Sequence, residues 1–271
     1  MPELPEVETT RRGIAPALVG RRIAEVVVRD RRLRWPIAGH LEETLRNQTV
    51  RSVERRAKYL LIRFDEGTLI LHLGMSGSLR IIDASAAPRP HDHWDIALDS
   101  GNLLRFHDPR RFGSVHWTSA DPHQHPLLKK LAPEPLSGAF DAAYLYRATR
   151  KRAVAIKQFI MNSQVVVGVG NIYASEALFR AGIAPRRAAR RVTRLEAGAL
   201  AAAIKSVLAE AIEIGGTTLR DYVNPQGIPG YFRQKLFVYE RQGQPCRRCR
   251  MPVKQFTQGQ RSTFWCTHCQ H

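Results

Sequence analysis

The first residues of the chain have the types needed for covalent chemistry on an aldehyde. The chain begins Met1-Pro2-Glu3, and removal of Met1 would leave Pro2 as a free secondary amine beside a carboxylate. An α-amino group has a pKa of about 7.7–8.0, so a usable fraction is neutral and nucleophilic near pH 7. A secondary amine that condenses with an aldehyde gives a cationic iminium, which withdraws electrons from neighbouring bonds. Chain ends usually carry no function, so this motif alone does not establish catalysis.

Four cysteines near the C-terminus have the spacing of a structural zinc site. They form two Cys-x2-Cys pairs, Cys246 with Cys249 and Cys266 with Cys269. Four thiolates complete the tetrahedral shell of Zn²⁺ and leave no open position for catalysis. We therefore predict one structural zinc ion, whose binding supplies most of the folding free energy of so small a module. The segment between the pairs is polar and cationic, which suits a hairpin laid on a phosphate backbone.

The charge of the chain indicates a polyanionic partner. Lys and Arg number 42 against 24 Asp and Glu, for a net charge of +18. Five basic runs favour a long phosphate track over a single solvated face. No stretch approaches the roughly 20 apolar residues of a membrane span, and no signal peptide is evident, which predicts a cytoplasmic protein without a membrane partner. The basic runs lie at 29–34, 51–58, 147–152, 186–194 and 247–250.

Two glycine-flanked turns carry apolar side chains. Met75 lies in a Gly-Met-Ser-Gly turn, and Arg110 and Phe112 lie in a loop after a predicted strand. Proteins unstack DNA by inserting apolar wedges between base steps, with an arginine at the exposed edge. Core packing is the commoner role for an isolated Met or Phe. The nearby His91-Asp92-His93 triplet is a poor metal shell on a strand, so we expect exposed polar contacts there.

A further glycine turn, Gly168 to Asn171, joins two apolar stretches that both have helical patterns. It lacks the third glycine of a dinucleotide fingerprint and the lysine of a P-loop. Tight turns between helices are typical of helix-turn-helix DNA-binding proteins, and Asn171 would start the second helix facing a phosphate. A plain helical hairpin is the alternative.

The elements that must position these residues fall into two regions. Residues 5–18 have a helical pattern with Pro5 in the first turn and Gly20 after the end. The period then changes to two, which predicts a β-sandwich or barrel that ends near residue 130. The predicted strands are 22–28, 58–64, 68–73, 94–98 and 102–106.

Beyond a proline-rich stretch at 118–140 the chain has helical patterns. Predicted helices cover 153–161 and 172–181, and Thr193 and Glu196 have the spacing of a capping box for a third helix. The predicted domains are 1–130 (β-sandwich catalytic domain), 131–150 (linker), 151–235 (helix–two-turn–helix DNA-binding domain) and 236–271 (zinc finger).

In these motifs and their order the sequence resembles the bacterial formamidopyrimidine-DNA glycosylases, a family of 8-oxoguanine DNA glycosylase/AP lyases. The resemblance covers nearly the whole chain. It implies an α+β protein with an N-terminal helix and β-sandwich, a helix–two-turn–helix domain and a β-hairpin four-cysteine zinc finger, with DNA in the cleft between. The motifs are Pro2-Glu3-Leu4-Pro5-Glu6-Val7-Glu8, Arg56-Ala57-Lys58-Tyr59-Leu60, His72 to Gly77, His91-Asp92-His93, Asp108 to Gly113, Gly168 to Tyr173 and the zinc finger with Arg261.

The resemblance also implies roles for individual residues. Pro2 is the Schiff-base nucleophile and Glu3 the proton donor, while Lys58 serves β-elimination and Arg261 δ-elimination. The implied substrate is double-stranded DNA with oxidised purines, cut by a monomer that holds one structural Zn²⁺ and works on the nucleoid in the bacterial cytoplasm. Met75, Arg110 and Phe112 fill the gap left by the flipped nucleotide. The implied DNA contacts include His91, Arg152, Asn171 and Arg261.

Two departures and two rival functions accompany the resemblance. Met161-Asn162-Ser163 lacks the acid common after the methionine, and Gln226-Gly227-Ile228 differs from the usual run in the loop implied to cover the everted base, Thr217 to Tyr231. One rival is the sibling family typified by endonuclease VIII, which acts on oxidised pyrimidines; the Leu4-Pro5-Glu6 opening and Arg110-x-Phe112 favour the purine enzyme. The other is a protein that binds damaged DNA without cutting it.

Overall fold

The computed structural model describes residues 2–216 and 232–271, so the implied loop from Thr217 to Tyr231 lies outside the described residues. The chain divides into two compact units. The N-terminal unit contains the residues up to Lys129, and the C-terminal unit contains Lys130–Ile214 and Phe232–His271.

The first helix, α1 (Leu4–Leu18), begins at a well-defined cap. Glu3 is the N-cap residue and forms a reciprocal capping box with Glu6, whose carboxylate accepts the Glu3 N–H at 2.8 Å. Such a box satisfies two backbone donors that a helix start otherwise leaves without partners. The buried face of α1 packs into the sandwich core, so the predicted helix is confirmed and starts one residue earlier than predicted.

The N-terminal unit is the predicted β-sandwich. Its two antiparallel four-stranded sheets have the orders β1-β6-β7-β5 and β2-β3-β4-β8, and one core cluster takes side chains from both. A short helix, α2 (Leu41–Leu45), lies between β1 and β2. The strands are β1 (Ile23–Val28), β2 (Ser52–Arg56), β3 (Tyr59–Arg63), β4 (Thr68–His72), β5 (Ser78–Asp83), β6 (Asp92–Leu98), β7 (Asn102–His107) and β8 (Ser114–Thr118).

Three strands of the sandwich, β2, β5 and β8, were not predicted. The sequence of β2 is Ser-Val-Glu-Arg-Arg, which offers a single apolar side chain, Val53, to the core. Its identity as a strand comes from pairing with β3, where Val53 lies opposite Ile62. Strand formation of this kind depends on a neighbour and not on the segment's own pattern.

The C-terminal unit is helical, with a two-stranded hairpin near its end. Thr193 and Glu196 form the predicted capping box at the start of the longest helix. The segment 131–150, predicted as a linker, contains one helix of this unit, and the domain boundaries stay a prediction. The elements are α3 (Ala142–Thr149), α4 (Ile156–Ile160), α5 (Asn171–Arg180), α6 (Arg194–Glu213), β9 (Lys254–Gln258) and β10 (Arg261–Trp265).

The zinc-finger region shares its core with α5. Phe179 of α5 belongs to one buried cluster with Val238, Val253, Phe264 and two of the cysteines. The buried Glu176 of α5 accepts the backbone N–H groups of residues 237, 238 and 239 at 2.9–3.0 Å. The finger is therefore fixed to the helix that follows the glycine turn. None of the described helices is long and apolar enough to span a bilayer.

Candidate catalytic and DNA-binding site

The N-terminal end of the chain is held in place from Pro2 onward. Pro2 is buried, and Glu3 is 2% exposed at the start of α1. The fraying that usually affects chain ends therefore does not apply to these two residues.

Lys58 lies on an element that packs against the same helix. It is the second residue of the two-residue turn between β2 and β3, where Arg56 pairs with Tyr59. The preceding Ala57 has φ of +56° and is 3% exposed. Lys58 itself is half-buried, and α1 packs against both β2 and β3. The structure thus places the proposed nucleophile, proton donor and lysine on adjoining elements of one unit.

His72 lies in one of the family motifs, but the sequence predicts no role for it. It ends β4 opposite Tyr59, with ring centroids 4.8 Å apart. Burial, followed by the charges of Lys58 and Arg34, lowers the pKa of His72 to about 4. Its Nδ1 accepts the Gly74 N–H at 3.0 Å, so the neutral ring carries its proton on Nε2. His72 is therefore an uncharged donor beside Lys58.

The two glycine turns, far apart in sequence, are in contact. Gly74 has φ of +70°, and a Cβ there would lie 2.4 Å from the Gly113 nitrogen and the Phe112 carbonyl carbon. Only glycine allows so close an approach of two backbones. The buried Asp108 joins the turns, because its carboxylate accepts the Ser76 hydroxyl at 2.7 Å and the Gly113 N–H at 2.8 Å.

This arrangement presents the three predicted wedge residues from one rigid platform. Phe112 is 43% exposed, so core packing, the commoner role for an isolated phenylalanine, does not describe it. The exposed Arg110 has its guanidinium carbon 5.1 Å from the Phe112 ring centroid. Met75 is half-buried in the facing turn. An exposed aromatic with a cation over its face suits insertion between bases.

The His91-Asp92-His93 triplet divides into two kinds of residue. His91 is exposed with φ of +72°, and its carbonyl accepts the Asp108 N–H. The expectation of exposed contacts is wrong for Asp92 and His93, which are 4% and 2% exposed. His93 Nε2 lies 2.7 Å from the Asp108 carbonyl oxygen, and Asp92 lies 2.9 Å from His107 Nδ1. These two residues anchor the loop that carries Arg110.

In the C-terminal unit, Asn171 starts α5 as predicted, and its side chain is bound within the unit. Its Oδ1 accepts the Lys157 ammonium at 2.6 Å, and its Nδ2 donates to the Ser262 carbonyl at 3.0 Å. Lys157 is 1% exposed and also donates to the Thr263 hydroxyl at 2.7 Å. This buried lysine, which no sequence motif indicates, ties the start of α5 to the strand that begins at Arg261.

Arg152 and Arg261 are exposed in the same unit. Arg261 starts β10, on the polar hairpin between the cysteine pairs, and Arg152 follows α3. Arg261 also lines a pocket of about 230 Å³ with Lys157, Met161 and Asn162. Both guanidinium groups are accessible to a phosphate, as a DNA contact requires.

The four cysteines have the geometry of one metal site. Their Sγ atoms all lie within 4.8 Å of one another, with Cys246 and Cys269 at 4.0 Å and Cys249 and Cys266 at 3.4 Å. A tetrahedral zinc ion with Zn–S bonds of about 2.3 Å holds its sulfurs about 3.8 Å apart. The donor set therefore fits structural Zn²⁺. The Arg248 N–H also donates to Cys246 Sγ at 3.4 Å, which orients the thiolate.

Most of the chain matches models of known protein families. Residues 1–115 match the model for the formamidopyrimidine-DNA glycosylase N-terminal domain. Residues 131–223 match the H2TH domain of the same family, and residues 243–271 match a zinc finger found in FPG and IleRS.

Individual relatives cover the whole chain. Formamidopyrimidine-DNA glycosylases of Thioalkalivibrio sulfidiphilus and Methylococcus capsulatus are 62% and 57% identical over 100% of both chains. The MutM (Fpg) protein of Thermus thermophilus is 41% identical, with a TM-score of 0.88 over 99% of this chain and 98% of that one. Lactococcus lactis Fpg in complex with DNA containing an abasic site is 31% identical, with a TM-score of 0.92 over 99% of both chains.

Proposed function

The chain belongs to the formamidopyrimidine-DNA glycosylase family, and we propose that it removes oxidised purines from double-stranded DNA and then cuts the strand at the abasic site. The substrates are 8-oxoguanine and formamidopyrimidines. The observation that carries the proposal is the ordered start of α1, which fixes Pro2 and Glu3 beside the hairpin that bears Lys58. The family's abasic-DNA and lesion-DNA complexes support the same substrate class.

Catalysis begins with extrusion of the damaged base, because an enzyme cannot attack a base within the stack. Extrusion costs a few kcal/mol, and Met75, Arg110 and Phe112 offset that cost by filling the vacated space. Arg110 meets the cytosine that has lost its partner. His91, Arg152, Asn171 and Arg261 contact the DNA.

The covalent steps then follow from an amine nucleophile. The Pro2 nitrogen attacks C1′ and the bond from C1′ to the base breaks. Glu3, or the Lys58 network, protonates the departing base and the ribose oxygen as the ring opens. The resulting iminium withdraws electrons from C2′, which loses a proton. The 3′ phosphate leaves in the β-elimination, which Lys58 assists. The 5′ phosphate leaves in the δ-elimination, which Arg261 assists, and a one-nucleotide gap remains.

This chemistry requires the Pro2 nitrogen to be a free amine, whereas Met1 precedes Pro2 in the sequence. With Met1 attached, the Pro2 nitrogen is an amide and has no nucleophilicity. Removal of Met1 should therefore switch the chemistry on.

Borohydride trapping tests the mechanism directly. Borohydride reduces an iminium to a stable amine, so the enzyme should become covalently attached to DNA that carries 8-oxoguanine opposite cytosine. Pro2→Gly should weaken glycosylase activity, and Pro2→Glu should abolish it. Absence of any adduct with the mature wild-type enzyme would overturn the mechanism.

Two further assays distinguish the proposed function from the two rival functions. A protein that binds damage without cutting would leave the 8-oxoguanine strand intact in a nicking assay. An endonuclease VIII-like specificity would be seen if a thymine-glycol duplex were cut in preference to an 8-oxoguanine duplex in direct competition.

We also propose the domain limits and the place of action. The limits are 1–130, 131–150, 151–235 and 236–271. The family matches at 1–115 and 243–271 lie within the first and last of these, whereas the match at 131–223 also covers the segment proposed as a linker. A basic DNA-repair enzyme with bacterial relatives works on the nucleoid. Fluorescent tagging in a bacterial cell, with DNA counterstained, tests that location.

A further inference from the structure

Glu8 stands in the opening motif of the chain but has no role in the chemistry above. Its carboxylate projects from α1 and accepts hydrogen bonds from Arg11 at 2.8 Å and Arg12 at 3.0 Å. A third arginine, Arg55 of β2, donates through Nε at 3.2 Å. Burial works to raise the pKa of Glu8, but these arginines outweigh burial and lower it below its usual value, so Glu8 is ionised at neutral pH.

Arg55 forms a second hydrogen bond, to the turn that presents Lys58. Its Nη1 donates to the Ala57 carbonyl oxygen at 2.9 Å. The guanidinium therefore connects α1 with the peptide group that joins Ala57 to Lys58. The side chains of Arg55 and Glu8 are only 13% and 12% exposed, which separates this pair from the solvated ion pairs that contribute little.

The turn needs such support because of its backbone conformation. Ala57 has φ of +56°, a left-handed conformation that residues with a Cβ rarely adopt. Such a conformation persists only where the surrounding structure holds it. The bond from Arg55 fixes the carbonyl of this residue, and hence the direction in which the next residue, Lys58, leaves the turn.

We propose that Glu8 and Arg55 are positioning residues that couple the helix bearing Pro2 and Glu3 to the turn bearing Lys58. This inference rests on the proposed function, in which Pro2 forms the iminium and Lys58 assists elimination. The rigid α1 sets the place of Glu8 relative to the nucleophile. The hydrogen bonds from Arg55 to Glu8 and to the Ala57 carbonyl oxygen then fix the position of Lys58 relative to α1.

The test uses full-length mature enzyme on DNA with a preformed abasic site, which removes base excision from the measurement. Single-turnover strand cleavage should fall about 10- to 100-fold in Arg55→Ala, the loss that a small misplacement of a catalytic group produces. Arg63→Ala is the matched control. It also removes one cation from the β2–β3 hairpin and breaks a pair with Glu54, but at the end away from the turn, where Arg63 lies opposite Ser52.

A second readout separates positioning from general damage. If Lys58 is misplaced while Pro2 is intact, the iminium forms but is eliminated slowly. The fraction trapped by borohydride at early times should then rise in Arg55→Ala while the cleaved product falls. A partly unfolded protein would lose both together. Arg55→Lys keeps the charge opposite Glu8 but not the forked donor, and should restore cleavage only in part.

Ala57→Gly keeps the inference testable if Arg55→Ala does not fold. Glycine adopts positive φ without strain, so this variant should fold while its turn becomes looser. Slower cleavage with more trapped iminium in Ala57→Gly would support the inference. Equal rates and equal trapped fractions in Arg55→Ala, Ala57→Gly and Arg63→Ala would overturn it. Failure of the wild-type enzyme to form any adduct would instead count against the proposed function.

Discussion

At the residue scale, the protonation of His72 is set by its surroundings. Burial, followed by the charges of Lys58 and Arg34, lowers the pKa of His72 and keeps the histidine neutral. A neutral His72 has one donor N–H, at Nε2, and adds no further positive charge beside the lysine. Keeping His72 neutral has a cost in folding stability at low pH, because the pKa of His72 is lowered only while the protein is folded.

That cost gives a stability prediction. The pKa of His72 is about 4 in the folded protein and 6.5 ordinarily. Between these values the unfolded chain binds a proton that the folded chain does not, so stability falls as pH is lowered from about 6.5 towards 4. The loss from pH 7 to pH 5 amounts to about 2 kcal/mol. Urea unfolding measures the free energy of unfolding at the two pH values. Its decrease on acidification should be smaller by that amount in His72→Gln than in wild type.

His40→Gln is the control for this measurement, since His40 is exposed. Its dependence on pH should match wild type. An identical loss of stability on acidification in His72→Gln and wild type would show that His72 is not held neutral.

At the element scale, short polar connections fix the parts that carry functional residues. The finger segment at 237–239 is held by one carboxylate, Glu176 of α5. The same principle holds at the start of α1, where Glu3 and Glu6 cap the helix that presents Pro2. In both places a carboxylate satisfies backbone N–H groups that would otherwise lose hydrogen bonds on burial.

Removal of Glu176 should therefore weaken the C-terminal unit. Glu176→Ala leaves three backbone donors without their acceptor, and the free energy of unfolding should fall by at least about 3 kcal/mol. Glu210→Ala is the comparison, because Glu210 pairs with Arg180 on an exposed surface and should cost less than about 1 kcal/mol. Urea unfolding of the zinc-loaded proteins measures both values. Equal losses would contradict the role given to Glu176.

At the scale of the whole molecule, metal and charge govern DNA binding. Two of the four cysteines belong to the core that contains Phe179 of α5 and the other two pack against it, so loss of zinc reaches beyond the finger itself. The net charge of +18 supplies attraction to the phosphate backbone over the entire protein.

Chelation should abolish DNA binding. Without zinc no metal bonds join the four cysteines, and the hairpin that carries Arg261 loses its support. A strong chelator should release one equivalent of zinc and remove binding to an abasic-site duplex in a fluorescence anisotropy titration. Readdition of Zn²⁺ should restore it. Normal binding by the zinc-free protein would show that the metal does not stabilise the finger.

Binding should also weaken steeply with salt. Each phosphate neutralised contributes a slope of about −0.9 in the logarithm of the binding constant against the logarithm of salt concentration. Removal of one phosphate contact, as in Arg152→Ala, should reduce the magnitude of the slope by about that amount. An unchanged slope would place Arg152 outside the DNA interface.

Local patterns in the sequence were enough to predict several elements. The first turn of α1, the capping box of α6 and the two cysteine pairs are each set by residues within a few positions of one another. Alternation of apolar residues also predicted the sandwich, because one face of each predicted strand must be buried. The family motifs added the roles proposed for Pro2, Glu3 and Lys58.

Only the tertiary structure decided the properties that depend on distant neighbours. The neutral state of His72 arises from burial and from cations on other elements. His93 bonds to Asp108 in the loop that follows β7, and Asp92 bonds to His107 at the end of that strand. Lys157 has no sequence signal of its own, yet it joins α4, α5 and the finger hairpin. Composition and periodicity report which residues prefer burial, but the partners that satisfy a buried charge come from across the fold. The N-terminal proline was therefore visible in the sequence, whereas the contacts that hold its surroundings in place were not.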